Sequence, residues 1–150
     1  MKRIDRSALL PYRAHQLFEL VNDIEAYPSF MNGCVGASIL HRDSEVVEAR
    51  LDLSQGGISQ SFATRNRSHP PNTIDLELIE GPFEHFAGSW RFQALGDSAC
   101  KVSLNLEFRL NSRLLGAAAS RLFESVTLDL IDAVTERARQ LYGPDAGVMT

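Results

Sequence analysis

The sequence predicts an α+β fold in which a curved antiparallel sheet wraps around one long C-terminal helix. Three observations point to it. Between residues 45 and 110, stretch after stretch alternates apolar and polar residues with a period of two. Short turn signals join the stretches: Gln55-Gly56-Gly57, His69-Pro70-Pro71-Asn72, Glu80-Gly81-Pro82 and Gly96-Asp97-Ser98. A single helical stripe then runs from Ser112 to Tyr142.

Lys2 to Leu10 reads as the first strand. Pro11-Tyr12 opens a helix, because proline suits a first turn. Ala14, Leu17, Phe18 and Val21 keep helical spacing, and Asn22-Asp23 ends the element. Ile24 to Ser29 makes one more short turn, and Gly33 closes the connector. From Val35 the period changes to two. Glu45 to Leu53 places Val47, Ala49, Leu51 and Leu53 on one face and Glu48, Arg50 and Asp52 on the other. Ile58 to Ser68 sets Phe62 and Thr64 against Ala63, Arg65 and Arg67. Thr73 to Ile79 aligns Ile74, Leu76 and Leu78, and Phe83 to Leu95 aligns Phe86, Trp90 and Phe92. Cys100 to Leu110 alternates most cleanly, with Val102, Leu104, Leu106, Phe108 and Leu110 on one side. One face is apolar and the other polar, so one face is covered and the other meets water.

The cover is the last helix. Leu115, Ala119, Leu122, Phe123, Val126, Leu130, Ala133, Val134 and Leu141 form its stripe, and Gly143-Pro144 is a stop signal. Residues 1–143 are expected to form one domain, leaving 144–150 as a flexible tail. A strongly curved sheet does not follow a straight helix along its whole length, and the gap between them is the default ligand site.

The 150 residues carry a formal net charge of −4, with 44% hydrophobic and 23% charged residues. That balance opposes wholesale coating of nucleic acid and speaks against DNA as a partner. No apolar run approaches the ~18 residues of a membrane span. The basic N-terminus lacks the apolar stretch of a signal peptide. Cys34 and Cys100 have no metal spacing and fit two thiols in a reducing cytosol.

Candidate chemistry is sparse. His15, His41, His69 and His85 form no ligand pattern, so no metal is expected. Gly57-Ile58-Ser59-Gln60-Ser61 resembles a nucleophile elbow but lacks the last glycine and the strand-turn-helix setting. No acid/base pair stands apart, so no catalytic residue is assigned and a non-enzyme is expected. Arg65 and Arg67 have two roles open to them: cross-strand pairing with Glu48 or Asp75, or a basic contact for RNA or anionic lipid. Arg137 lies within the apolar stripe, where it snorkels or meets a polar ligand group. Phe62, Phe86, Trp90, Phe92, Phe108 and Phe123 point inward, as core or as cavity lining.

Four stretches carry a family resemblance. They are Tyr27-Pro28-Ser29-Phe30 with Gly33-Cys34, Gly57 to Asn66, Gly81-Pro82-Phe83 with Gly88 to Phe92, and Arg137 to Tyr142. Together they resemble the START-like superfamily, within its branch of coenzyme Q-binding proteins and RatA-type ribosome association toxins. Asn32 and Gln60 depart from it, standing where proline and a basic residue are often found. The resemblance implies the helix-grip fold: a seven-stranded antiparallel sheet around the C-terminal helix, two short helices after strand 1, and an apolar cavity. It implies a bound ubiquinone or similar polyprenyl lipid supporting respiration, with no other cofactor. Leu51, Phe62, Leu76, Phe86, Trp90, Phe92, Leu106, Phe108, Phe123, Val126 and Leu130 would line that cavity. Tyr27, Pro28 and Phe30 would form its mouth, since proline fixes the backbone that holds the two aromatics. The toxin branch implies instead a contact with the large ribosomal subunit that blocks subunit association, with Arg65 and Arg67 as candidate contacts and a small antitoxin protein as partner. The location implied is cytoplasmic, with a peripheral contact at the inner membrane in the lipid-carrier case.

Overall fold

The computed structural model describes residues 2–111 and 117–143. The expected helix start at Ser112, Leu115, Pro144 and the expected tail at 144–150 lie outside the described residues. The chain runs β1 (Lys2–Leu10), α1 (Ala14–Asn22), a 3₁₀ turn (Ile24–Ser29), β2 (Cys34–Arg42), β3 (Val46–Gln55), β4 (Ile58–His69), β5 (Thr73–Glu80), β6 (Phe83–Ala94), β7 (Cys100–Leu110), α2 (Ala117–Leu128) and α3 (Leu130–Tyr142). The seven strands form one antiparallel sheet in the order β1-β7-β6-β5-β4-β3-β2. β2 to β7 are a meander of neighbours, and β1 closes onto β7 with Ile4 opposite Leu106 and Leu10 opposite Cys100.

The period-two pattern decides which face is dry. Val102, Leu104, Leu106 and Phe108 on β7 are all buried, as are Trp90 and Phe92 on β6 and Ile74 on β5. The helices close over this face. α2 packs on β3 and β4, while α3 packs on β1, β7 and α1. Two tyrosines tie the ends together. The Tyr12 hydroxyl donates to the Gly143 carbonyl oxygen, and the Tyr142 hydroxyl donates to the Gln16 carbonyl oxygen at 3.0 Å.

Two expectations change. Helix α1 starts at Ala14 rather than at Pro11, because Tyr12 is drawn into the core at 3% exposure. Arg13 then takes the N-cap position, its backbone N–H donating to Gln16 Oε1 at 2.9 Å. The long C-terminal helix is bent rather than straight: α2 ends at Leu128 and α3 begins at Leu130. Thr127 Oγ1 donates to the Phe123 and Glu124 carbonyl oxygens at 2.8 and 3.1 Å. Such back-bonding from a mid-helix threonine bends a helix. The backbone ladder still crosses the bend, with the Ala133 N–H donating to the Asp129 carbonyl oxygen at 3.0 Å. At the bend the connector after the 3₁₀ turn comes close. Gly33 has φ +86°, and a Cβ there would lie 2.6 Å from Val126 Cγ2, so glycine is required twice over.

Candidate functional site

A cavity lies between the sheet and the bent helix. Its floor is Ala49 and Leu51 of β3, Phe62, Thr64 and Asn66 of β4, Ile74 and Leu76 of β5, Phe86 and Trp90 of β6, and Leu104 and Leu106 of β7. Its roof is Phe123, Thr127 and Leu130, and its end wall is Val21, Asn22, Ile24, Tyr27 and Met31. The interior offers about 70 Å³ to the centres of water-sized occupants, and about 650 Å³ of empty space with its opening counted. At roughly 10–15 Å³ per water centre, the interior holds about five to seven waters, or one small ring.

An outer groove adjoins it, lined by Phe30, Met31, Asn32, Val126, Asp129, Leu130, Asp132, Ala133 and Glu136. Met31 and Leu130 line both spaces, so their side chains form the partition between interior and surface. This partition sits beside the helix bend.

Of the candidate residues, Leu51, Phe62, Leu76, Phe86, Trp90, Leu106, Phe123 and Leu130 line the cavity. Phe92, Phe108 and Val126 do not. Phe92 packs edge-on against Phe18 and parallel to Trp90. Phe108 faces Phe123 with ring centres 4.6 Å apart and also meets Phe83. Val126 faces the outer groove and Gly33. The expected mouth separates too. Tyr27 is an interior wall residue, buried, with its hydroxyl donating to the Val21 carbonyl oxygen. Burial pushes its phenol far above the ordinary range, with like-signed help from Cys34 and Asp23. Pro28 is exposed and lines neither space. Phe30 lies in the outer groove, edge-on to Tyr27, with the Arg137 guanidinium carbon 5.5 Å from its ring centre. Arg137 thus reaches the rim and covers an aromatic face, which supplies the attraction a lone cation needs there.

The sequence reading missed the polar members of the lining. Asn22, Thr64, Asn66 and Thr127 all face this cavity. Thr64 and Asn66 are each 8% exposed, and Thr64 Oγ1 donates to Asn66 Oδ1 at 2.7 Å. Asn22 Oδ1 is buried without a hydrogen-bond partner. The signal was present: Thr64 and Asn66 continue the inward parity of Phe62 along β4.

Chemically the cavity is neutral. Among its described lining residues Tyr27 is the one ionisable group, and its proton is held by burial. No His, Asp, Glu, Lys, Arg or Cys faces the interior among those residues, and no group of three metal-ligating side chains occurs among the described residues. Both thiols are buried elsewhere. Burial raises Cys34, and it pushes Cys100 up to about 11. Arg65 and Arg67 project from the opposite face of β4. Arg65 Nε donates to Glu48 Oε2 at 2.7 Å and lies 3.6 Å from Glu77, while Arg67 Nε donates to Glu77 Oε1 at 3.2 Å. No described helix is long and apolar enough to cross a membrane.

Known proteins resemble this chain. The family model described as polyketide cyclase/dehydrase and lipid transport matches residues 10–135. The chain is 41% identical over 143 residues to the ribosome association toxin RatA of Vibrio cholerae, covering 95% of this chain and 99% of that one. It is 23% identical over 148 residues to the mitochondrial coenzyme Q-binding protein COQ10 homolog B of Xenopus laevis, covering 95% of this chain and 61% of that one. Among solved structures, the 18 kDa protein CC1736 of Caulobacter crescentus is 35% identical with a TM-score of 0.72, covering 95% and 99% of the two chains. The aromatase/cyclase Zhui of Streptomyces sp. R1128 shares the fold, with a TM-score of 0.79 at 18% identity over 93% of this chain and 94% of that one. By sequence, this chain belongs to the polyketide cyclase/dehydrase and lipid transport family.

Proposed function

We propose that this chain binds an apolar lipid with a ring head, of the ubiquinone class, and that it does so without catalysing a reaction. One observation carries the reading: a mainly apolar interior cavity whose described lining holds no acid or base able to exchange a proton near neutral pH. The similarity to a protein named for coenzyme Q binding supports the ligand class. Burying isoprene is favourable by about 25 cal/mol per Å² of apolar area, so affinity needs no special chemistry. The interior takes a ring but not a polyprenyl tail. The tail therefore leaves past Met31 and Leu130 into the outer groove, along Phe30, Val126 and Ala133.

The test is solvent extraction of protein purified from a quinone-making bacterial host, followed by mass spectrometry. Wild-type protein should carry ubiquinone, and Ala49→Phe, which fills the floor, should carry far less. Lipid-free wild-type protein, or equal loading of the two, would sink the reading.

A second role is favoured by the relatives named as ribosome association toxins. In that role an outer surface docks on the large ribosomal subunit. Arg65 and Arg67 are the candidate contacts, although each is engaged by Glu48 or Glu77 in the free chain. A sucrose-gradient profile during overexpression tests it. Free subunits should accumulate, with the protein beside the large one, and Arg65→Glu with Arg67→Glu should restore joining. A normal profile removes the role, and inhibition unchanged by both substitutions removes these two arginines from it.

A further inference from the structure

We propose that Gly88 sets the size of the ring head that the cavity accepts, through Leu76 and Leu106, which fold over it. This rests on the cavity-binding reading above and specifies the head as a single ring rather than a fused pair. The inward positions of β6 run Phe86, Gly88, Trp90, so glycine stands between two aromatics that both line the cavity. The backbone does not ask for glycine there, because Gly88 is not among the residues with positive φ. The requirement is space. Gly88 stands opposite Leu76 of β5 on one side and Leu106 of β7 on the other. A Cβ on Gly88 would overlap Leu106 Cδ2, and it would lie 3.3 Å from Leu76 Cδ1 and 3.2 Å from the Asn105 carbonyl oxygen. Both leucines therefore lean over the glycine from opposite sides, and both line the cavity.

Glycine inside a strand weakens it and marks a close approach by another group. Here the approaching groups are the two leucines, and the room they take over β6 is room they leave free in the cavity. With a methyl at position 88, Leu106 has to move. Its far side is closed by Ile4 of β1, which stands directly opposite it and is buried. The far side of Leu76 is closed in the same way by Asn66 of β4, also buried. The direction left open to either side chain is away from the sheet, into the cavity. Gly88 is thus a positioning residue: it touches no ligand and acts through the leucines that cover it. The interior offers about 70 Å³ to the centres of water-sized occupants, enough for one small ring. A raised leucine takes part of that room, and a fused second ring has no room until Leu106 is shortened.

The experiment titrates toluene and 2-methylnaphthalene into the wild-type chain, Gly88→Ala, Leu106→Ala and the double variant, followed by calorimetry. The wild-type chain should bind the single ring more tightly, although the fused ring gains more on leaving water. Gly88→Ala should bind toluene about tenfold more weakly, as expected when one methyl overfills a packed site. Leu106→Ala should bring 2-methylnaphthalene level with toluene. The double variant should recover the wild-type affinity for toluene, which a merely structural role of Gly88 would not produce. Toluene binding unchanged in Gly88→Ala would overturn the inference, and so would a loss that the double variant keeps. Tighter binding of the fused ring by the wild-type chain would overturn the size selection while leaving the cavity reading in place. Failure of the wild-type chain to bind either probe would overturn both together. Where Gly88→Ala does not fold, Leu106→Ala still decides, because a ring preference unchanged from wild type would overturn the inference.

Discussion

Phe123 should be the side chain on which the roof of the cavity depends. Its ring lies 4.6 Å from that of Phe108, 5.0 Å from Phe83 and 5.5 Å from Phe62, all edge-on, and it is 5% exposed. Edge-to-face pairs of this kind add to area burial. Truncation of a buried phenylalanine costs about 3–5 kcal/mol, with the spread set by how far the site can collapse. Collapse is hard here, because the ring stands between an existing cavity and a sheet whose register is fixed on both sides. Phe123→Ala should therefore fall in the upper half, about 4–5 kcal/mol. For a chain of this size each kcal/mol moves the midpoint by roughly 2–4 °C, so the melt should fall by about 8–20 °C. Urea unfolding followed by circular dichroism and Trp90 fluorescence measures both the loss and its cooperativity. Phe86→Ala, at a half-buried position of the same cluster, should cost less. A loss below about 1.5 kcal/mol for Phe123→Ala would show that the ring cluster does not hold the roof.

Other consequences are as direct. Gly33→Ala should destabilise by at least about 1–2 kcal/mol from its left-handed backbone alone, and more from the clash with Val126. Adding Val126→Ala should recover only the clash part, and full recovery in a thermal melt would refute the backbone assignment. Arg65→Gln should leave stability nearly unchanged, since its ion pairs are partly exposed and screened by solvent, and a clear drop of the urea midpoint would contradict that picture. Cys100 stays protonated up to about 11 in the folded chain, above its ordinary 9.0. Its stabilising share is complete below pH 9 and is lost as pH rises through 11. Cys100→Ala should flatten the fall in stability between those values, and an unchanged slope would refute it.

Much of the architecture was legible because burial on one face forces a period of two. Cys100 to Leu110 was read to its ends, as was Lys2 to Leu10. The bend at Asp129 was not legible. It depends on a hydroxyl choosing a carbonyl one turn back, which leaves the apolar stripe intact. The site was half legible for a related reason. Parity tells which face a residue occupies, but not how far along the strand the cavity extends. Phe92 shares its face with Trp90 and Phe108 shares its face with Leu106, yet Phe18 and Phe83 seal the first member of each pair. The mouth was misplaced because Tyr27 and Phe30 looked alike as aromatics in a connector. A hydroxyl bonded to Val21 draws one inward, and Arg137 holds the other at the rim. Met31, in the same connector, carries no pattern of its own.

The most direct test of the central claim is an amide and side-chain NMR titration of the isotope-labelled chain with a short-tailed ubiquinol. The account predicts saturable shifts at Thr64, Asn66, Trp90, Leu104 and Thr127, with Arg65 and Arg67 on the opposite face unmoved. Shifts confined to that outer face, or none at all, would contradict it.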